Sequence, residues 1–123
     1  MKTKILVIST SLNPESRSRI LAKAAIAIPF EGVEFDWLDL QDFSLPICDG
    51  GKAYEHKDLP AVREKIEQAQ GIIISIPVYN YQAGSAAKNL IELTGRAWTE
   101  KTVGFICAAG GKSSYMSVMS LAN

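Results

Sequence analysis

GIIISIPVYNYQAGSAAKNLIELT, residues 71–94, decides the fold. It opens with an unbroken apolar run, Ile72-Ile73-Ile74-Ser75-Ile76, between Gly71 and Pro77. A short β-branched run without polar alternation reads as a strand buried on both faces, as at the centre of a parallel sheet. Pro77 lacks the N–H a ladder needs, so the strand is expected to end there. Val78-Tyr79-Asn80-Tyr81-Gln82 then places two aromatics and two amides just past the strand's carboxyl end, which is where open α/β sheets hold ligands. From Gly84 to Thr94 the spacing turns helical, with Ala87, Leu90, Ile91 and Thr94 on one face.

Working outward, Lys4 to Ser9 is a second fully apolar strand. A turn-rich segment leads into a helix from Ser16 or Ser18 to about Ile28, with Ile20, Leu21, Ala24, Ala25 and Ile28 expected as its buried face. Val33 to Leu40 alternates apolar and acidic residues, the pattern of an edge strand. Residues 41–59 read as a long loop, and Pro60 starts a short helix through Val62, Ile66 and Ala69 to Gln70. Beyond the opening stretch come a fourth strand, Lys101 to Ala108, and a last helix from near Ser114 through Tyr115, Val118, Met119 and Ala122. Strands and helices alternate throughout. That predicts one α/β domain over 1–123, a three-layer α/β/α sandwich around a parallel sheet of order 2-1-3-4. A ligand crevice is expected between the first and third strands.

Composition narrows the function classes. With 13 Lys and Arg against 13 Asp and Glu, the chain has no charge excess to draw it to nucleic acid or an anionic membrane. No apolar run approaches the ~20 residues of a membrane helix, and the amino end passes into a strand without a cleavage-site pattern. Cys48 and Cys107 are far apart, which reads as reduced thiols in the cytoplasm rather than a disulfide framework. His56 is the single histidine, so no histidine-based metal site is expected. It is expected in an exposed loop and Cys107 in the core, with Trp37 and Trp98 as packing or subunit-contact residues and Lys112 solvated.

Three loops should meet at the carboxyl edge of this sheet. Residues 9–18, STSLNPESRS, set five serines and threonines around a helix start, where free N–H groups, the positive dipole end and hydroxyls suit a phosphate. Simple helix capping by Ser16 and Ser18 is the plainer reading of the same residues. The loop is neither a dinucleotide fingerprint nor a nucleoside-triphosphate loop. Tyr79 and Tyr81 suit a flat heterocycle, or else a sheet end or subunit contact. Ala109, Gly110 and Gly111 permit close backbone approach, as an ordinary turn also would. Three such loops at one edge favour a single ligand.

At this point the chain resembles the NAD(P)H-dependent FMN reductases of the flavodoxin-like fold, which include quinone, chromate and azo-compound reductases. PVYNYQAGSAAKNLIELTGR, residues 77–96, is similar to that family's PEYNYSxPGxLKNxIDWxSR, and the first loop to its GSLRxGSFN. The resemblance implies that Ser11, Asn13, Ser16, Arg17 and Ser18 surround an FMN phosphate. It implies that Pro77, Val78, Tyr79, Asn80 and Tyr81 line the isoalloxazine ring, and that Ala109, Gly110 and Gly111 approach its pyrimidine edge. Asn13 stands where the family has Arg, Val78 where it has Glu, and Ala83-Gly84-Ser85 is offset from its Pro-Gly pair. The family pattern also continues into a fifth strand and last helix. The domain is therefore expected to be incomplete at its carboxyl end, either a fragment or a domain whose fifth strand is supplied by something else; without that strand the fourth is an exposed apolar edge.

The activity implied is hydride transfer from NAD(P)H through FMN to a small acceptor, such as a quinone, free flavin, azo compound or metal oxyanion, in a homodimer or homotetramer. No catalytic side chain is assigned, because the flavin carries the chemistry. A flavodoxin-type electron carrier and a flavin-free structural protein of the same fold are the competing readings.

Overall fold

The computed structural model describes residues 2–111 and 117–122. In chain order the elements are β1 (Thr3–Ser9), α1 (Arg17–Ile26), β2 (Val33–Asp39), α2 (Leu59–Gln68), β3 (Gly71–Tyr79), β4 (Gln82–Ala83), α3 (Ser85–Thr94), β5 (Thr102–Ala108) and α4 (Met119–Ala122). β1 pairs in parallel with β2 and β3, and β3 with β5, giving the order β2-β1-β3-β5. This is the expected flavodoxin-like order, the fourth strand of the sequence reading being β5. The register runs Leu6 to Ile72 and Ile8 to Ile74 across β1 and β3, then Ile74 to Phe105 across β3 and β5.

Side chains alternate across a strand, and the two faces of this sheet differ in kind. Leu6, Ile8, Ile72, Ile74 and Ile76 form one cluster with Val62 and Ile66 of α2 and Leu90 of α3. The aliphatic side chains on both partners make this the hydrophobic core. On the opposite face Val7 and Ser75 are buried, and Ser75 Oγ donates to Ser18 O of α1 at 2.6 Å. That contact overturns the expected packing of α1. Its buried residues are Ser18 and Ala22, while Ile20 is 66% and Leu21 44% exposed, and Ala24 and Ile28 also face solvent. Helical spacing alone favours the bulkier stripe, but the short approach to β3 admits only small side chains beneath the helix.

β3 does not end at Pro77 as predicted. It continues to Tyr79 and turns back as a hairpin with β4, pairing Val78 with Ala83 and Tyr79 with Gln82. Proline is tolerated because the strand needs only its carbonyl there, which accepts from Gly84 N at 2.9 Å. Gly84 leaves room for that bond: a Cβ would lie 3.3 Å from Pro77 O and 3.2 Å from its ring, closer than ordinary contact. Asn80 and Tyr81 occupy the turn with φ of 52° and 65°, the left-handed pair of a two-residue hairpin.

The long segment after β2 holds two 3-10 turns, Leu40–Asp42 and Lys52–Glu55. Asn89 ties it to α3, accepting from Cys48 N at 2.8 Å and donating to Pro46 O at 3.0 Å. His56 there is half-buried rather than exposed, because its Nδ1 accepts from Asp58 N at 3.2 Å. Trp98 packs against the core and donates to Thr94 Oγ1 at 2.7 Å. Among the described residues, β3 is the only strand paired with β5. Lys112, Ser114 and Tyr115 lie outside the described residues, so the expected start of the last helix does too.

Candidate functional site

The first loop is built from buried hydroxyls. Ser9, Thr10, Ser11, Ser16 and Ser18 are all buried at the end of β1 and the start of α1. Thr10 donates from both N and Oγ1 to Ser75 O, at 3.1 and 2.8 Å, locking the loop's root onto β3. Ser11 Oγ accepts from Asn13 N at 3.2 Å, and Asn13 Oδ1 accepts from Glu15 N at 3.0 Å. Ser16 caps α1 by accepting from Arg19 N at 3.1 Å, and its hydroxyl also meets that of Ser18 at 2.8 Å. The capping reading is therefore correct for Ser16. It does not use up the helix start, since the first N–H groups of a helix have no intrahelical partner. Those of Arg17 and Ser18 find no acceptor among the described residues.

The three loops converge. Ser11, Asn13, Ser16, Arg17 and Ser18 border one open cleft of about 640 Å³ with Pro77 and Tyr79 from the end of β3 and Ala109 and Gly110 after β5. Val78, Asn80, Tyr81 and Gly111 do not line it. Val78 pairs across the hairpin, and Asn80 and Tyr81 form its exposed tip. The aromatic pair thus divides: Tyr79 lines the cleft, while Tyr81, 63% exposed, does not.

The cleft also takes in Glu15, Ile20, Leu21, Cys107 and Ala108, beyond the site residues expected from the sequence. Glu15 sits between assigned residues and was legible by position. Cys107 is a correction: it is exposed rather than in the core. An apolar strand is buried only where neighbours flank it, and β5 has β3 on one side alone among the described residues. Partial withdrawal from water pushes the Cys107 thiol above its ordinary value, and a hydrogen bond with Ser117 opposes the rise. Among the described residues lining the cleft, Arg17 is the cation and Glu15 the anion; the neighbouring Arg19 is spent on Asp39, with Nε to Oδ2 at 2.6 Å. No cluster of His, Cys, Asp and Glu suited to a metal occurs among the described residues.

A hydroxyl-rich helix start beside a cleft with an aromatic wall, at the carboxyl edge of a β2-β1-β3-β5 sheet, is the layout of a flavodoxin-like domain. The chain belongs to the NADPH-dependent FMN reductase family, whose sequence pattern matches residues 3–122. It is 32% identical over 97 residues to an iron-sulfur flavoprotein of Methanocaldococcus jannaschii, covering 72% of this chain and 50% of that protein. To an NAD(P)H:quinone oxidoreductase of Solanum tuberosum it is 29% identical over 117 residues, or 88% and 59% of the two chains. The chain thus spans between half and three-fifths of these relatives' length. Among solved structures it superposes on RosB with bound 8-demethyl-8-formylriboflavin-5'-phosphate at a TM-score of 0.81 and 19% identity, covering 98% of this chain and 57% of RosB.

Proposed function

We propose that this domain binds FMN in the cleft and acts as an NAD(P)H-dependent reductase of a small acceptor: a quinone, a free flavin, an azo compound or a metal oxyanion. The observation that carries the reading is the convergence of three separate loops on one cleft, with hydroxyls and free helix-start N–H groups at one end and Tyr79 at another. These residues fit FMN. Ser11, Asn13, Ser16 and Ser18 with the first N–H groups of α1 hold the phosphate, and Arg17 supplies its counter-charge. Pro77 and Tyr79 form the aromatic side of the cleft, and Ala109 and Gly110 leave room for the ring edge; Val78, Asn80, Tyr81 and Gly111 lie outside its lining. Bound FMN supplies acceptance of hydride from the nicotinamide and delivery of electrons to the acceptor. The chain's own part is to anchor the phosphate and keep one ring face open to the two substrates in turn. No side chain has to move a proton.

The test is the visible absorption spectrum of the purified protein after FMN addition and removal of excess. A flavin spectrum that bleaches with NADPH and recovers with a quinone is expected. Colourless protein that retains no FMN rejects the reading. Bleaching that recovers only through a partner redox protein favours the electron carrier.

The two free cysteines support a reducing, cytoplasmic setting. No helix of the described residues is long and apolar enough to cross a membrane. A homodimer or homotetramer is supported by Ile47, 85% exposed beside an apolar hollow of about 680 Å³ lined by Leu12, Phe43, Leu45 and Leu90. Light scattering that reads a monomer at micromolar concentration rejects this part.

A further inference from the structure

We infer that Asp39 and Gln41 are positioning residues that set the geometry of the phosphate loop from outside it, an inference that rests on the FMN reading above. Asp39 ends β2 in register with Ser9, the last residue of β1, so it stands at the root of the first loop. Its side chain is 1% exposed and both oxygens are engaged. Oδ2 accepts from Arg19 Nε at 2.6 Å, and Oδ1 accepts from Gln41 N at 2.9 Å. Gln41 then reaches back, its Nε2 donating to Asn13 O at 3.0 Å. That same carbonyl accepts from Ser16 N at 3.1 Å.

The result is a closed bracket. One carboxylate holds the first turn of α1 through Arg19 and holds the residue that grips the loop's middle through Gln41. The loop spans residues 10–16 between two fixed ends, and the Gln41 bond pins its middle to the 3-10 turn that follows β2. Asn13, Ser16 and Ser18 face a phosphate only while that span keeps its shape, so the bracket pre-organises the site and lowers the ordering cost of binding. It also engages Arg19, and among the described residues lining the cleft Arg17 is the cation. A buried ion pair of this kind is weak evidence for added stability. Its position at the base of the cleft argues for shape.

The experiment compares FMN and riboflavin, which differ by the phosphate, on wild type, Gln41→Met and Asp39→Asn, by quenching of flavin fluorescence. Gln41 is only half-buried, so Gln41→Met removes the bond to Asn13 O while the domain folds, which circular dichroism verifies. The expected result is an FMN Kd raised about three- to tenfold in Gln41→Met, the loss of one ordinary hydrogen bond, with riboflavin unchanged. Asp39→Asn is expected to act in the same direction. Amide hydrogen exchange of the unliganded Gln41→Met variant is expected to quicken at Asn13 to Arg19 and stay constant in β3. An unchanged FMN Kd in Gln41→Met, or equal loss of FMN and riboflavin, overturns the bracket while leaving FMN binding intact. A wild type that binds no FMN overturns the reading beneath it.

Discussion

The two faces of the sheet divide the labour. Toward α2 and α3 the strands present Leu6, Ile8, Ile72, Ile74 and Ile76 to Val62, Ile66 and Leu90, large aliphatics on both sides. Toward α1 they present Val7 and Ser75 to Ser18 and Ala22, and the bulky residues of the helix point outward. Burial free energy scales with apolar area, so the first face carries the stability. Close approach on the second face brings helix start, hydroxyls and strand end together, so that face carries the site.

The largest expected effect tests the division directly. Ile74→Ala, at a fully buried position in the aliphatic cluster, should cost about 2–5 kcal/mol in denaturant unfolding. Ile20→Ser, on the outward stripe of α1, should change stability by no more than about 0.5 kcal/mol. Comparable losses at the two positions would mean that α1 packs with its bulky stripe inward. Next in size, Ser75→Ala deletes the buried bond to Ser18 O and should cost about 1 kcal/mol. It should also weaken FMN binding, because Ser75 holds α1's first turn to the strand. Full retention of FMN affinity in that variant breaks the link between the second face and the site.

Tyr81 is exposed and held at φ 65°, a backbone region costly for an aromatic residue. Tyr81→Gly relieves that strain against glycine's greater loss of freedom, for a net gain of about 0.5 kcal/mol in the unliganded protein. The same variant should bind FMN less tightly if the ring covers the flavin; unchanged affinity confines the flavin's aromatic wall to Tyr79. The smallest effect concerns Cys107 at the open edge. Because partial burial raises its pKa above the ordinary thiol value, less of it is thiolate at neutral pH, and the thiolate is the nucleophile. Maleimide labelling should therefore lag that of a free cysteine peptide at pH 7 to 8 and reach its plateau at higher pH, with FMN slowing it further. Labelling that follows the peptide's pH profile rejects the desolvation.

Much of the site was legible in the linear chain. A helix start crowded with Ser and Thr, aromatics just past a β-branched run, and small residues past the last strand are local patterns. Alternation of strands and helices restricts the topology enough to place their loops on one edge. What was not legible depends on distances. Two stripes run along α1, and spacing cannot tell that β3 lies too near for the larger one. Pro77 reads as a stop, yet β3 passes through it because a neighbour needs only its carbonyl. Cys107 reads as core, yet a strand paired on one side leaves it open. The Asp39, Gln41 and Asn13 bracket joins residues 26 and 28 positions apart and has no motif of its own.

By itself, the order of apolar runs and turn residues determined the sheet's topology, the identity of the hydrophobic strands and the three loops that meet at the cleft. These follow from backbone hydrogen bonding and side-chain period, which act over a few residues. Only the tertiary structure decided which stripe of α1 is buried, that Tyr79 lines the cleft while Tyr81 does not, and that Arg19 is held by Asp39. Those outcomes turn on ångström-scale separations between elements distant in sequence, where close packing admits one side chain and excludes another.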